Sequence, residues 1–487
     1  MTSELLSLKP AAVWQYFYQL TQVPRPSKHE DKIQAFMVEF GQSLGLETIH
    51  DDIGNVIIKK PASKGYEDRL GVILQAHLDM VPQANNDTPH DFVNDPITAY
   101  IDGEWVTAKG TTLGADNGIG VAATMAVLAD KDIKHGPVEA LFTCDEETGM
   151  TGAFGLKDDV LDGDILLNLD SEEEKELCIG CAGGIDGEFH LPITRHDKPS
   201  EKPLYELTIK GLKGGHSGVD IHLQRGNANK LLGRWLTLID TDFDLINFNG
   251  GNLSNALPRE ATAVIGAADT DKASVEKATD TFKKILTREY GDLEPDVELL
   301  IEPAGIVENT HALTDNSKKA LLNAITACHH GVYRMSVDIE GLVETSNNLA
   351  IIKTTDEDVQ FDCMLRSSVD SARDELVAHL TASFEMAGAT AEFSGAYPGW
   401  QPNPKSAILE VMKSTAEQLF GITPPIQAIH AGLECGLLGG VYPHWDMISF
   451  GPTICFPHSP DEKVKIDTVA PFYEWLLLTL ENIPVHS

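Results

Sequence analysis

The stretch Leu74-Gln-Ala-His77-Leu-Asp79-Met80 decides how the chain is read. The apolar run that enters it, Gly71-Val-Ile-Leu-Gln-Ala76, reads as a buried strand. It ends in a histidine and an aspartate two residues apart. Alternation along extended chain sends both side chains the same way. A histidine that ligates a metal through one ring nitrogen needs a partner for the other, and a nearby carboxylate fixes its tautomer and orientation. One such pair serves equally well as a structural contact, so the weight must come from the rest of the chain.

Working outward, Val138 to Cys144 reads as a second strand, ending at Asp145-Glu146-Glu147. Ile165 to Leu169 reads as a third, ending at Asp170. Gly110-Thr-Thr-Leu-Gly-Ala-Asp116-Asn-Gly118 leads into an apolar helix to about Ala129, and Met447 to Phe450 reads as a strand whose following loop carries His458. Short apolar strands alternating with helices predict an α/β domain with a mostly parallel sheet between helices. In open sheets of that kind ligands bind beyond the carboxyl ends of the strands. His77, Glu146, Glu147 and Asp170 each follow such an end, and Asp116 precedes a helix N-terminus. These residues are therefore expected along one edge.

Upstream, Pro10 fits the first turn of a helix to about Leu20. Ser27-Lys-His-Glu30 has capping-box spacing before Ile33, Phe36, Met37 and Phe40. A strand is expected over Asn55 to Lys59, and a hairpin over Tyr100 to Ala108 around Asp102-Gly103. From about Gly187 to Trp400 the pattern changes to half-covered strands, such as Leu204 to Lys210, with amphipathic helices such as Ala273 to Leu286. This predicts an inserted α+β lid domain of two strand-helix units. The expected division is a catalytic domain over 1–186 and 401–487, with the lid over 187–400.

The 487 residues suggest two or more domains, and 42% hydrophobic with 23% charged residues is a globular composition. A net charge of −37 repels nucleic acid and anionic lipid, so neither partner is expected. Met1-Thr-Ser-Glu-Leu-Leu-Ser-Leu-Lys-Pro10 lacks the pattern of a secretory leader. The apolar stretch Ile119 to Ala129 is too short to span a bilayer. Seven scattered cysteines fit reduced thiols and a cytoplasmic protein. Cys178-Ile-Gly-Cys181 has redox spacing but opens no helix.

The candidate ligands are His77, Asp116, Glu147, Asp170 and His458, with Asp79 and Glu146 beside them. Two imidazoles and three carboxylates suit Zn²⁺, with Co²⁺ or Mn²⁺ as replacements. Five ligands are one too many for a tetrahedral ion and too few for two, unless one carboxylate bridges. Two ions then have three protein ligands each and an open position, the arrangement of binuclear hydrolytic sites. Glu146, adjacent to a ligand but left free, is the natural general base.

Taken together, Leu74-Gln-Ala-His77-Leu-Asp79, Gly114-Ala-Asp116-Asn-Gly118, Asp145-Glu146-Glu147-Thr-Gly149, Asn168-Leu-Asp170 and Pro457-His458-Ser459 resemble the dizinc co-catalytic metallopeptidases. That family includes glutamate carboxypeptidases, aminoacylases, tripeptidases and dipeptidases. The resemblance covers essentially the whole chain. It is greatest toward bacterial cytosolic aminoacyl-histidine dipeptidases, through Gly214-Gly-His216-Ser-Gly218, Asn255-Ala-Leu-Pro258, Ala396-Tyr-Pro-Gly-Trp400 and Ile429-His-Ala-Gly-Leu-Glu-Cys-Gly436.

The resemblance implies one zinc on His77, Asp116 and Asp170 and another on Asp116, Glu147 and His458, with Asp116 bridging. It implies that Asp79 orients His77, that Glu146 is the base, and that the Asp116–Asn117 peptide is cis. It implies that His216 polarises the scissile carbonyl. Arg366 is read either as a bidentate partner of a substrate carboxylate or as an ordinary surface ion pair. Asn255 and the Gly432 backbone are further substrate-binding candidates, and His430 is read as a brace. The implied activity is hydrolysis of unblocked dipeptides, with preference for a C-terminal histidine as in β-alanyl-histidine. An N-acyl-amino-acid deacylase, a tripeptidase and a non-catalytic metal-binding protein are the alternatives. The long insert suggests that one chain completes its own site; whether it also forms a homodimer stays open.

Overall fold

The computed structural model describes residues 2–85, 87–307 and 309–486 and divides into two compact units. The first comprises Met1–Gly180, Trp400–Ala428 and Leu433–Ser487, and the second Cys181–Gly399 with Ile429–Gly432. No helix among the described residues is long and apolar enough to cross a membrane.

The first unit is built on an eight-stranded sheet. Its order is Glu47–His50, Val56–Lys60, Val138–Thr143, Val72–His77, Ile165–Asn168, Asp446–Ser449, Leu177–Cys181 and Ile426–Ile429. The middle four strands are parallel. Val72–His77 and Val138–Thr143 are buried at every residue, as strands covered on both faces must be. The pairings of Glu47–His50 with Val56–Lys60, of Val56–Lys60 with Val138–Thr143 and of Asp446–Ser449 with Leu177–Cys181 are antiparallel, so the sheet is mixed. The helix Ala115–Ala129 is apolar around nearly its whole circumference, because the helix Ala11–Thr21 lies against it as well as the sheet.

At their carboxyl ends the central strands are tied by a buried polar row. Asn168 Nδ2 donates to Gln75 Oε1 at 2.5 Å, and Ser449 Oγ donates to Asn168 Oδ1 at 2.5 Å. Gln75 Nε2 and Thr143 Oγ1 both donate to Glu434 Oε2, at 2.6 and 2.7 Å. Such a row is satisfied only in one register, so it fixes the strand ends against one another. A small separate sheet orders Ile454–Cys455, Lys463–Lys465, Trp105–Ala108 and Ala99–Asp102. The expected hairpin at Asp102-Gly103 is its outer half. Its other hairpin presents the loop 456–462, which carries His458.

The second unit differs in one respect from the two strand-helix units expected. Both halves join in one nine-stranded antiparallel sheet through the pairing of Asp244–Gly250 with Val343–Thr354. The helices Ala228–Thr237, Lys272–Tyr290, Asp315–Ala327 and Asp370–Ala387 share a single core with it. Phe189 stacks on Phe384 with ring centroids 3.9 Å apart in that core.

Candidate metal centre

The strand-end residues all lie in the first unit, and they converge. His77 is the last residue of Val72–His77, and Asp170 stands two residues past Ile165–Asn168. Glu146 and Glu147 open the short helix Glu146–Gly149, directly after Asp145 in a left-handed conformation. Asp116 sits at the start of Ala115–Ala129 with non-helical dihedrals, and the Asp116–Asn117 peptide is cis. His458 occupies its loop at φ 61°.

Asp116 faces both imidazoles at once. Its Oδ1 lies 3.0 Å from His77 Nε2 and its Oδ2 lies 3.4 Å from His458 Nε2. Asp170 Oδ1 is 3.4 Å from the same nitrogen of His77, and Glu147 Oε2 is 2.9 Å from that of His458. His77, Asp116 and Asp170 form one group, and Asp116, Glu147 and His458 a second, each with donor atoms within 4.8 Å of one another. His77, Glu146 and Glu147 meet the same criterion.

The electrostatics are those of a site short of positive charge. Burial alone would lower His77, but Asp170, Asp116 and Asp79 hold it well above the ordinary histidine range. Hydrogen bonds that the His458 ring donates to Asp116 and Glu147 raise it to about 11. Burial pushes Asp170 up to about 6, and it also lifts Glu146 far above the usual carboxylate range. Among the described residues Glu147 Oε1 is a buried acceptor without a hydrogen-bond partner, and Asp170 Oδ1 has only the 3.4 Å approach of His77 Nε2. Orphaned buried carboxylate oxygens are costly unless a cation meets them. A nitrogen-and-oxygen donor set with unmet negative charge fits a pair of divalent ions such as Zn²⁺.

Asp79 does more than the resemblance implies. Its Oδ1 lies 3.2 Å from His77 Nδ1 and accepts from the Glu146 amide at 3.0 Å. Its Oδ2 accepts from the Glu147 amide at 3.2 Å and from Ser27 Oγ at 2.8 Å. One carboxylate thus orients a candidate ligand and anchors the turn that carries both the candidate base and another candidate ligand. The capping box read at Ser27-Lys-His-Glu30 is absent. The helix Asp31–Ser43 has no side-chain cap, because Ser27 serves Asp79 and Glu30 Oε2 accepts from the Asp145 amide.

Arg25 escaped the sequence reading. It is buried, and it donates to the carbonyl oxygens of Leu78 and Asp79 at 2.8 and 3.0 Å and to that of Gly114. It therefore ties the segment after His77 to the segment before Asp116. Carbonyl partners leave no residue-type signature, so only the oddity of an arginine between two prolines, Pro24-Arg25-Pro26, marks it in the sequence.

His216, Arg366, Asn255 and Gly432 belong to the second unit. His216 Nδ1 accepts from the amides of Gly218 and Val219, both at 3.1 Å, which leaves the ring proton on Nε2. Burial and the Arg366 cation lower its pKa, so the ring is a neutral donor. Arg366 is 5% exposed, not a surface residue, and no carboxylate among the described residues forms an ion pair with it. It donates instead to Tyr397 Oη at 3.1 Å and to Ser217 Oγ at 3.4 Å. Asn255 is exposed, and its carbonyl accepts from the Ser217 amide at 2.8 Å. Gly432 is half-buried beside His430, whose Nε2 lies 2.7 Å from Ser346 Oγ.

Known proteins resemble this chain over nearly its whole length. Residues 73–482 match Peptidase family M20/M25/M40. The cytosol non-specific dipeptidase of Escherichia coli is 48% identical over 485 residues, covering 99% of both chains. The crystal structure of aminoacylhistidine dipeptidase from Vibrio alginolyticus has a TM-score of 0.92 at 49% identity, again covering 99% of each chain. Aminopeptidase PepT from Bacillus cereus shares the fold at a TM-score of 0.57 and 17% identity, with 98% of this chain and 99% of that one covered. The chain belongs to the peptidase family M20/M25/M40.

Proposed function

We propose that this chain is a cytoplasmic two-zinc dipeptidase that hydrolyses unblocked dipeptides and prefers a C-terminal histidine, as in β-alanyl-histidine. The observation that carries the reading is Asp116, one oxygen toward each imidazole, which makes two three-ligand groups from five residues. The names of the E. coli and V. alginolyticus relatives support the substrate class, and the former supports the location. Ions held by His77, Asp116 and Asp170 and by Asp116, Glu147 and His458 supply, when bound, Lewis acidity and a lowered pKa for water.

The protein's own groups do the rest. Glu146, lifted by burial, takes a proton from the attacking water and passes it to the leaving amine. Asp79 holds His77 and the Glu146 turn in place. His216 directs its Nε2–H to the carbonyl oxygen as negative charge develops there. Arg366, a buried cation with no carboxylate partner among the described residues, pairs with the terminal carboxylate of the substrate, and Asn255 and Gly432 complete that subsite. In this reading the inserted unit acts as a lid.

The test is a substrate panel on purified enzyme, stripped of metal and reconstituted with zinc or cobalt. Free dipeptides, β-alanyl-histidine among them, are expected to turn over faster than tripeptides or acetylated amino acids. Equal or faster turnover of acetylated amino acids would instead make the chain a deacylase.

A further inference from the structure

Glu462 has no part in the roles above, yet it is buried at 2% exposure within the first unit. Its carboxylate accepts from four consecutive backbone amides. Oε2 takes Leu113 at 2.7 Å and Gly114 at 2.9 Å, and Oε1 takes Ala115 at 2.7 Å and Asp116 at 3.2 Å. Two belong to the turn before the helix Ala115–Ala129 and two to its first residues, and Gly114 at φ 71° turns them toward one point. An ordinary cap comes from the residue that begins its own helix. This one comes from the loop that carries His458, four residues earlier.

That loop is fixed in turn. The Glu462 amide donates to Ser459 O at 2.9 Å, and Thr107 Oγ1 donates to Glu462 O at 2.8 Å. Arg25 completes the arrangement by donating to the Gly114 carbonyl, on the same segment whose amides face Glu462. A buried anion and a buried cation thus hold one short stretch of backbone between them.

We propose that Glu462 is a positioning residue of the binuclear centre. It locks the backbone of Asp116 and ties it to the loop of His458, so that the two ligands shared by the second metal position are set by one carboxylate. Glycine, glutamine or a shorter acid at this position would leave both segments free to separate. The inference rests on the two-ion reading of the proposed function.

The experiment titrates the metal-free, full-length protein with Co²⁺, following cobalt absorption in competition with a chelator. Two equivalents taken up by the unsubstituted protein are the precondition; fewer would refute the two-ion reading itself. Glu462→Gln places an NH₂ group against two of the four amide donors. It is expected to weaken at least one equivalent roughly tenfold to a hundredfold, the scale seen when groups behind metal ligands are altered. Glu462→Asp keeps the charge but withdraws it by one methylene, and it replaces the glutamine variant if that one does not fold. Thr107→Val removes the other tie to the same loop, and it should lower the urea midpoint while leaving both cobalt affinities unchanged. Unsubstituted affinities in the Glu462 variants, or an equal loss of cobalt in Thr107→Val, would overturn the proposal.

Discussion

Replacing Glu146 by alanine separates holding metal from moving protons, because Asp116, Asp170, Glu147 and the two histidines make up two donor groups without it. The variant is expected to bind two equivalents of zinc and to lose roughly a thousandfold in kcat, the middle of the range for a lost general base. Metal content by mass spectrometry and a steady-state assay check this, and near-normal turnover would reassign the base. Asp79→Asn is expected to behave differently. Its amide cannot accept from both the Glu146 and Glu147 backbones, so zinc affinity and kcat fall together. At this scale the convergence of His77, Asp116, Glu147, Asp170 and His458 was legible because each is chemically distinctive and follows a strand or opens a helix. Arg25, Ser27 and Glu462 were not. Arg25 and Glu462 act mainly through backbone groups, those of Glu462 some 350 residues away in the chain.

Elements place these groups, and close packing limits what they tolerate. A Cβ at Gly218 would lie 2.0 Å from the carbonyl oxygen of His430, and the Gly218 amide is one of the two that fix the His216 ring. Gly218→Ala must therefore push one loop off the other. A loss of about 1–3 kcal/mol is expected, the usual cost of overpacking, measured by urea denaturation. Turnover should fall with it, since the His216 tautomer loses its anchor. The buried strands were readable from their continuous apolar runs, which leave no alternative to a covered central position. The hairpin that presents His458 was not, because the strand Ile454–Cys455 is two residues long. The Ser27 spacing misled for a physical reason: the same hydroxyl that can cap a helix was drawn to a buried carboxylate.

For the whole molecule the raised pKa values act in one direction. The imidazolium contributions of His77 and His458 are complete below the ordinary histidine value of about 6.5 and are lost as pH rises, toward about 11 for His458. Burial holds Asp170 at about 6, Glu462 at about 7 and Glu172 and Glu434 at about 8, so each sheds stability as pH climbs from the ordinary carboxylate range to those values, where the loss is complete. The lowered groups Asp116 and Asp79 are already ionised there and add no slope. The Tm of the metal-free protein should therefore fall between about pH 6 and pH 9, and zinc should flatten the fall. Calorimetry at pH 8 should also detect protons released on zinc binding, since ordinary histidines would already be neutral. The two-unit organisation was legible in the change from buried to half-covered strands. The continuity of the nine-stranded sheet was not, because strand pairing between distant segments leaves no local pattern.

The first unit closes only with its last segments: Asp446–Ser449 completes the parallel centre, and His458 follows it. A ribosome delivers these residues some 300 positions after Asp116 and Glu147. On the proposed two-ion reading, a product that stops before His458 has the three ligands of the first position and lacks one of the second. Hydrolytic power is then withheld from every such fragment.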